Sequence, residues 1–155
     1  DDGDNKITGF GTDGASFTVV CSEEYALKND MNPIAKIIGT AVTGCEPELM
    51  GLGPIEATKK ALIRSSISLN DLDVIELNEA FSSQSIAVIN ALGLDEDKVN
   101  IDGGALSIGH PLGASGSRIT GKAATLLNRL NGQYSLSTMC IGGGMGIATV
   151  LENYN

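Results

Sequence analysis

The stretch "LDVIELNEAFSSQSIAVINALG", residues 72–93, joins two segments with different apolar patterns. Its first part, which starts at Leu72, is apolar and predicts a buried strand. The second part, residues 81–93, predicts a helix that ends at Gly93, a residue able to adopt the left-handed capping conformation. This order places Asn78 and Glu79 at the carboxyl end of a strand and predicts an α/β fold.

The sequence before this stretch predicts two further strand and helix units. Residues 14–21 are β-branched and apolar, which favours a strand, and Ser22 can cap the short helix that follows. Residues 33–42 predict a second strand. The segment 55–65 has near-helical apolar spacing, and Pro54 stands where the first turn of a helix tolerates proline.

The sequence after this stretch predicts a glycine-rich loop, a helix and two closing strands. The loop covers residues 99–115, the helix 116–130, and the strands 134–140 and 145–154. The predicted order is therefore βαβαβα, loop, α, ββ, which indicates one domain over residues 1–155. We expect a mixed five-stranded sheet with helices on both faces.

Charge and hydropathy exclude several classes of partner. The net charge is −9 and the isoelectric point is about 4.4, whereas nucleic acid and anionic membranes require a basic surface. No apolar run reaches the roughly 18 residues of a membrane span. The acidic start, residues 1–4, does not resemble a signal peptide. We therefore expect a soluble, cytoplasmic protein, with an organelle as the alternative location.

The cysteines and glycines exclude two kinds of site. Cys21, Cys45 and Cys140 are far apart without CxxC spacing, so the sequence favours reduced thiols and predicts no metal site. The glycines 142–144 precede a strand-like segment and lack the GK[ST] ending of a phosphate-binding loop, which disfavours nucleotide hydrolysis.

Three polar residues are candidates for chemistry. His110, the only histidine, lies among glycines, which predicts a ring presented to a ligand; the alternative is a ring satisfied by backbone groups. Cys140 follows an apolar strand, and its sulfur lies near glycine amides that could lower a thiol pKa or hold an oxyanion; the alternative is a core cysteine. Asn78 can hold a water or a carbonyl, or act as a turn residue. A Cys/His pair suits a hydrolase or an acyltransferase.

Three motifs, taken together, resemble the signature segments of the C-terminal half of thiolases. They are "LNEAF" at 77–81, "GGALSIGHPLGASGSRI" at 103–119 and "CIGGGMG" at 140–146, and they occur in the family's order. The resemblance runs from Asp13 to Leu151. The triple glycine after the cysteine is more similar to short-chain acetoacetyl-CoA thiolases than to long-chain degradative ones.

The resemblance implies a role for each candidate residue. His110 would take the proton from a nucleophilic cysteine of the N-terminal half, and its ring N–H, with a water held by Asn78, would form an oxyanion hole. Cys140 would be the acid/base at the substrate α-carbon, and the Gly142 N–H would stabilise the acetyl-enzyme oxyanion. Further substrate contacts are implied for Met50, Phe81, Ala80 and Gly109.

The resemblance also implies the reaction and the partners. The reaction would be condensation of two acetyl-CoA molecules to acetoacetyl-CoA and CoA, or the reverse thiolysis, with the CoA thioester as substrate and no cofactor. No part of this chain resembles the N-terminal half that carries the nucleophile, so the chain alone is expected to be inactive. Apolar surface without its covering half predicts a partner chain or a homo-oligomer.

Two features keep other functions open. Gly9 and Thr12 stand where the coenzyme-contacting loop of the family has a serine and an asparagine. This departure, with the missing nucleophile, motivates a non-catalytic module that binds an acyl-CoA or a protein. A third hypothesis is an independent acyl hydrolase that uses Cys140 and His110.

Overall fold

The computed structural model describes residues 11–154, so Gly9 and the acidic start lie outside the described residues. The helices are α1 Glu23–Lys28, α2 Gly53–Ser65, α3 Ser82–Leu92, α4 Ala105–Ile108 and α5 Leu112–Leu130. The strands are β1 Ala35–Gly44, β2 Leu72–Leu77, β3 Tyr134–Ile141 and β4 Met145–Asn153. Short 3₁₀ helices cover Pro47–Leu52, Leu69–Asp71 and Glu96–Lys98.

The strands form a mixed four-stranded sheet in the order β1-β4-β3-β2. β4 is antiparallel to both of its neighbours, whereas β2 and β3 run parallel. A single parallel bridge from Val99 to Ile75 adds to the outer edge of β2. The parallel pair brings the carboxyl ends of β2 and β3 to the same edge of the sheet, which is where polar sites gather in α/β folds.

Helices cover both faces of the sheet, as the sequence predicts. α2 and α3 pack on one face over a core that includes Ile75, Leu136 and Val150. α5 packs on the other face over Val74 and Leu151. β2 is buried along its length, because its successive side chains face these two layers in turn.

The prediction of a fifth strand at residues 14–21 is wrong. Residues 12–22 contain no helix or strand, and the ring of Phe17 is 95% exposed. A strand needs a hydrogen-bonding neighbour and a face to bury, and this segment lies instead along the start of α5, where Ser16 Oγ donates to Ala114 O at 2.7 Å. Thr12 lies in this exposed, irregular segment.

The other elements are present with small shifts in their ends. Ser22 caps α1 by accepting from Tyr25 N at 3.2 Å, Pro54 lies in the first turn of α2, and Gly93 ends α3 with φ 66°. α5 begins at Leu112, which makes the end of the predicted glycine-rich loop helical. The short helix α4 and the three 3₁₀ helices were not predicted, because elements this short carry little periodic signal.

Candidate active site

Asn78 extends the sheet one residue beyond β2. Its backbone N–H donates to Thr138 O of β3 at 2.9 Å, and its side chain is 1% exposed. Its side-chain Oδ1 has no hydrogen-bond partner among the described residues. A buried amide oxygen without a partner is costly, so this atom is available to a water or to a ligand donor.

The next residue, Glu79, ties this strand end to the loop before α4. Its Oε1 accepts from Asn100 Nδ2 and its Oε2 from Leu106 N, both at 2.8 Å. Asn100 also holds the end of β2, because its Oδ1 accepts from Leu77 N at 3.0 Å and its Nδ2 donates to Leu77 O at 2.9 Å. A Cβ on Gly104 would lie 2.5 Å from Glu79 Oε2, so only glycine allows this approach.

His110 lies between α4 and α5 and points at Asn78. Its Nε2 is 3.4 Å from Asn78 Nδ2, and its Nδ1 is 2.6 Å from Ser115 Oγ. Gly109, with φ 92°, makes the turn that brings the ring inward. The expectation of a ring presented rather than buried is wrong, since His110 is only 7% exposed: Asn78 and Ser115 of α5 lie against its two ring nitrogens.

The surroundings of His110 favour the neutral imidazole. Burial lowers the pKa of the ring below its usual 6.5, and the nearby Arg118 guanidinium lowers it further. None of the three guanidinium nitrogens of Arg118 has a hydrogen-bond partner among the described residues, although all three are buried. A histidine kept neutral at pH 7 has a lone pair free to accept a proton.

A second charged group lies in this interior on β2. Glu76 is 1% exposed, and its Oε1 is 3.5 Å from Lys122 Nζ. Burial raises the pKa of this carboxyl from 4.5 to about 7, while Lys122 and then Arg118 pull it down. Lys122 also donates to Gly103 O at 2.7 Å, which fixes α5 to the loop before α4.

Cys140 lies near the end of β3, two residues beyond the Thr138 that accepts from Asn78. It pairs with Gly146 of β4 and is 7% exposed. Burial, and to a lesser degree the neighbouring Cys45, raises the pKa of this thiol above 9.0, which is opposite to the lowering that nearby glycine amides could cause. A protonated thiol is a poor nucleophile, which disfavours the Cys140 acyl hydrolase.

The β3–β4 turn that follows is built from glycines. Gly143 and Gly144 have φ of 83° and 85°, which side chains rarely adopt. Gly144 O accepts from Cys45 N at 2.8 Å, so the turn is held against the end of β1. Gly142, in contrast, is exposed, and a Cβ there would meet nothing within 4 Å. Its backbone therefore faces open space beside Cys140.

The remaining predicted residues lie around this edge of the sheet. Met50 is in the 3₁₀ helix Pro47–Leu52, which contacts α3, β3 and β4. Phe81 is half-buried at the N-cap of α3, and Ala80 before it is 6% exposed. Gly109 directly precedes the histidine. The part of Met50 and Phe81 in a substrate passage stays a prediction.

A cavity lies away from the predicted site residues. It measures about 600 Å³ and is lined by segments 18–26 and 31–37, with contributions from α5, Leu151 and Tyr154. Within residues 11–154, no three or more His, Cys, Asp or Glu side chains cluster as metal ligands do, and all three cysteines are free. None of the described helices is long and apolar enough to cross a membrane.

A sequence profile described as "Thiolase, C-terminal domain" matches residues 31–153. The chain belongs to the thiolase family. This thiolase domain is 46% identical over 142 residues to the mitochondrial 3-ketoacyl-CoA thiolase of Bos taurus, covering 92% of this chain and 36% of the relative. It is 50% identical to the 3-oxoadipyl-CoA/3-oxo-5,6-dehydrosuberyl-CoA thiolase of Escherichia coli, covering 90% of this chain and 35% of the relative.

Solved structures agree with the fold of this thiolase domain. Human mitochondrial 3-ketoacyl-CoA thiolase superposes with a TM-score of 0.85 at 46% identity, over 86% of this chain and 34% of that one. The Bacillus anthracis acetyl-CoA acetyltransferase gives 0.83 at 41% identity, over 85% of this chain and 34% of that one. The thiolase domain thus spans about a third of the length of its relatives.

Sequence analysis missed several residues around the thiolase-domain site. Ser115 lies inside the "GHPLGASG" motif, five residues after His110, and a hydroxyl so close in sequence to the only histidine was a signal for this contact. Glu79 and Asn100 could be placed on one edge of the sheet, but their contact could not. Nothing in the sequence indicates that Glu76 and Arg118 are buried together.

Proposed function

We propose that this thiolase domain supplies the acid/base groups of a 3-oxoacyl-CoA thiolase site, which an N-terminal half completes with its nucleophilic cysteine. The single observation that carries the proposal is the contact of Asn78 and His110 at 3.4 Å, with Asn78 Oδ1 buried and unpartnered. An imidazole and a water held on that oxygen would converge on one thioester oxygen, as an oxyanion hole requires.

His110 would act in the acyl-transfer half of the reaction. Its Nε2 accepts the proton of the N-terminal cysteine as the sulfur bonds to the thioester carbonyl carbon. The Nε2–H then donates to the oxygen on which negative charge develops. When the carbonyl re-forms, the carbon–sulfur bond to CoA breaks and His110 returns the proton to the CoA sulfur. The lowered pKa of His110 suits this role, because the ring is neutral before each cycle.

Cys140 would act in the carbon–carbon bond half of the reaction. Its thiolate removes the α-proton of the second acetyl-CoA, and the resulting enolate attacks the acyl-enzyme carbonyl carbon. When that carbonyl re-forms, the carbon–sulfur bond to the N-terminal cysteine breaks, and the released sulfur takes up the proton that Cys140 removed. In thiolysis the Cys140 thiol returns that proton to the departing enolate. The raised pKa of Cys140 makes its thiolate a strong base and its thiol a proton donor at neutral pH. The Gly142 N–H, exposed beside Cys140, would hold the acyl-enzyme oxygen.

Coenzyme A thioesters are the proposed substrates, and acetyl-CoA with acetoacetyl-CoA is the proposed pair. A structure of the human 3-ketoacyl-CoA thiolase in complex with CoA is 46% identical to this chain and superposes with a TM-score of 0.84, which supports the coenzyme. The triple glycine after Cys140 favours a short acyl chain. Met50, Phe81, Ala80 and Gly109 are the proposed contacts to the acyl and pantetheine groups.

The test adds an N-terminal thiolase half, either fused ahead of Asp1 or co-expressed, and measures cleavage of 3-oxoacyl-CoA substrates of increasing length. We expect cleavage that depends on His110 and on the N-terminal cysteine, with acetoacetyl-CoA cleaved best. Faster cleavage of longer substrates would contradict acetyl-CoA and acetoacetyl-CoA as the substrates but would support a thiolase activity. An assembled molecule without turnover that binds acetyl-CoA in calorimetry would identify a binding module instead.

A further inference from the structure

Ser115 forms a hydrogen bond with Nδ1 of His110, the ring nitrogen on the side away from Asn78. It lies in the first turns of α5, is 0% exposed, and its Oγ is 2.6 Å from His110 Nδ1. The same oxygen is 3.1 Å from Pro111 O, in the geometry of a helical serine that donates to the carbonyl four residues earlier. The hydroxyl has one proton, which it can donate either to Pro111 O or to Nδ1, and Nδ1 can donate to it instead.

Two hydrogen-bond networks of Ser115, His110 and Asn78 are consistent with one hydroxyl proton and a neutral ring. If Ser115 donates to Pro111 O, its oxygen accepts from Nδ1–H, and the Nε2 lone pair accepts from Asn78 Nδ2. If Ser115 donates to Nδ1, the ring carries its proton on Nε2, and the Asn78 amide must turn its oxygen toward the ring. Only the first network uses the observed Asn78 Nδ2 contact to Nε2 and leaves Oδ1 free for a water.

We propose that Ser115 is a positioning residue that holds neutral His110 in the Nδ1–H tautomer, with the lone pair on Nε2, the ring nitrogen beside Asn78. Which ring nitrogen carries the proton is set by the hydrogen bond at the other nitrogen. The ring can then accept a proton only at Nε2. The proton on Nδ1 stays on the ring and is donated to Ser115 Oγ throughout the cycle, so the ring does not need to rotate between accepting and donating. The catalytic consequence rests on the proposed function, whereas the tautomer does not.

The tautomer can be measured on this chain without activity. His110 is the only histidine, so long-range ¹H–¹⁵N correlation spectra of the ¹⁵N-labelled chain above pH 8 contain one imidazole. We expect Nδ1 to show the protonated nitrogen shift and Nε2 the unprotonated one. An Nε2–H ring in the unmodified chain overturns the proposal, whether or not any variant folds.

Variants test whether Ser115, and not another residue around the ring, sets the tautomer of His110. Ser115→Ala should move the ring to the Nε2–H tautomer or to a mixture, and Ser115→Thr should restore Nδ1–H. Ser65→Ala is the matched control, since Ser65 Oγ donates to Ala61 O at 2.9 Å in the same helical manner but contacts no imidazole. An unchanged tautomer in Ser115→Ala overturns the role of the serine.

Kinetics of the assembled thiolase give a second readout. Loss of a group that orients a catalytic histidine costs roughly 10-fold to 100-fold in activity. We expect this loss in kcat for Ser115→Ala, with KM little changed because Ser115 is buried behind the ring, and recovery in Ser115→Thr. An increase in KM with kcat unchanged would contradict the positioning role. Absence of turnover in the unmodified assembly would refute the proposed function but leave the tautomer result standing.

Discussion

Asn78 and His110 are 32 residues apart in sequence, yet Asn78 Nδ2 lies 3.4 Å from His110 Nε2. Asn78→Ala should reduce turnover of the assembled thiolase by about 10²-fold to 10³-fold, the usual cost of one oxyanion-hole donor. The fold should survive, because the backbone bond from Asn78 N to Thr138 O does not involve the side chain. Steady-state kinetics measure the effect, with the exposed Asn90→Ala as control. The lost donor would be the water that Asn78 Oδ1 holds, and equal losses in both variants would contradict that role.

Cys140→Ser should separate the two halves of the reaction. The serine hydroxyl is far less acidic than the thiol, so α-proton removal should slow by roughly 10²-fold to 10⁴-fold. Acyl transfer to the N-terminal cysteine should persist. Deuterium exchange at the acetyl-CoA methyl group reports the first step, and mass spectrometry of the acyl-enzyme reports the second. The exposed Cys21→Ser serves as control. Undiminished exchange in Cys140→Ser would remove Cys140 from this role.

Arg118→Met should shift the pH dependence of His110. Burial is the larger cause of the lowered pKa of His110 and Arg118 the smaller, so removing the guanidinium charge should raise that pKa only part of the way toward 6.5. The ring must be neutral to accept a proton, and activity should therefore begin to fall at a higher pH as the solution is acidified. NMR titration of His110 measures the shift, and Arg118→Lys should retain most of the wild-type value. A pKa that falls or stays fixed would contradict the effect.

Glu76→Gln should flatten the pH dependence of stability. The folded chain holds the Glu76 proton up to about pH 7, whereas the usual carboxyl pKa is 4.5. Between these values the folded state binds more protons than the unfolded state, so the free energy of unfolding falls as pH rises. The fall from this group is at most roughly 3 kcal/mol. Urea unfolding at pH 5 and pH 8 measures it, and the slope should be smaller in Glu76→Gln but unchanged in the exposed Glu56→Gln.

Gly146→Ala should destabilise the fold where α2 meets β4. A Cβ on Gly146 would collide with the backbone of Gly53 at the start of α2, which cannot move without displacing the helix. Overpacking of this kind costs about 1–3 kcal/mol. Gly142→Ala in the adjacent turn is the control for stability, because a Cβ there meets nothing within 4 Å. Denaturant unfolding of both variants gives the comparison, and equal stabilities would show that the helix adjusts freely.

The spacing of apolar residues was sufficient to predict the helices and strands that pack on one another. The run 72–93 predicts a strand and a helix because both bury continuous apolar faces. The same criterion failed at 14–21. A β-branched segment forms a strand only beside a neighbouring strand, and the local sequence does not show whether such a neighbour is present.

For the site, the sequence predicts the candidate residues but not their packing or their pKa values. Motifs single out Asn78, His110 and Cys140 as candidates, and the strand order accounts for Asn78 and Cys140 at one edge. The burial of His110 and the hydrogen bond between its Nδ1 and Ser115 depend on how the start of α5 packs against the ring, which no local pattern encodes. The raised pKa of Cys140 likewise follows from packing, since glycine amides alone had suggested the opposite direction.

The parallel pairing of β2 with β3 has a consequence for folding kinetics. Leu77 pairs with Thr138, and the 60 residues between them, 78–137, must be arranged before the two strands can align. Pairing over such separations is slow, because the loop-closure entropy is lost before the contacts form. The Asn78 bond to Thr138 belongs to this late pairing. Refolding chains should therefore recover far-ultraviolet helical signal earlier than they recover the geometry around the imidazole.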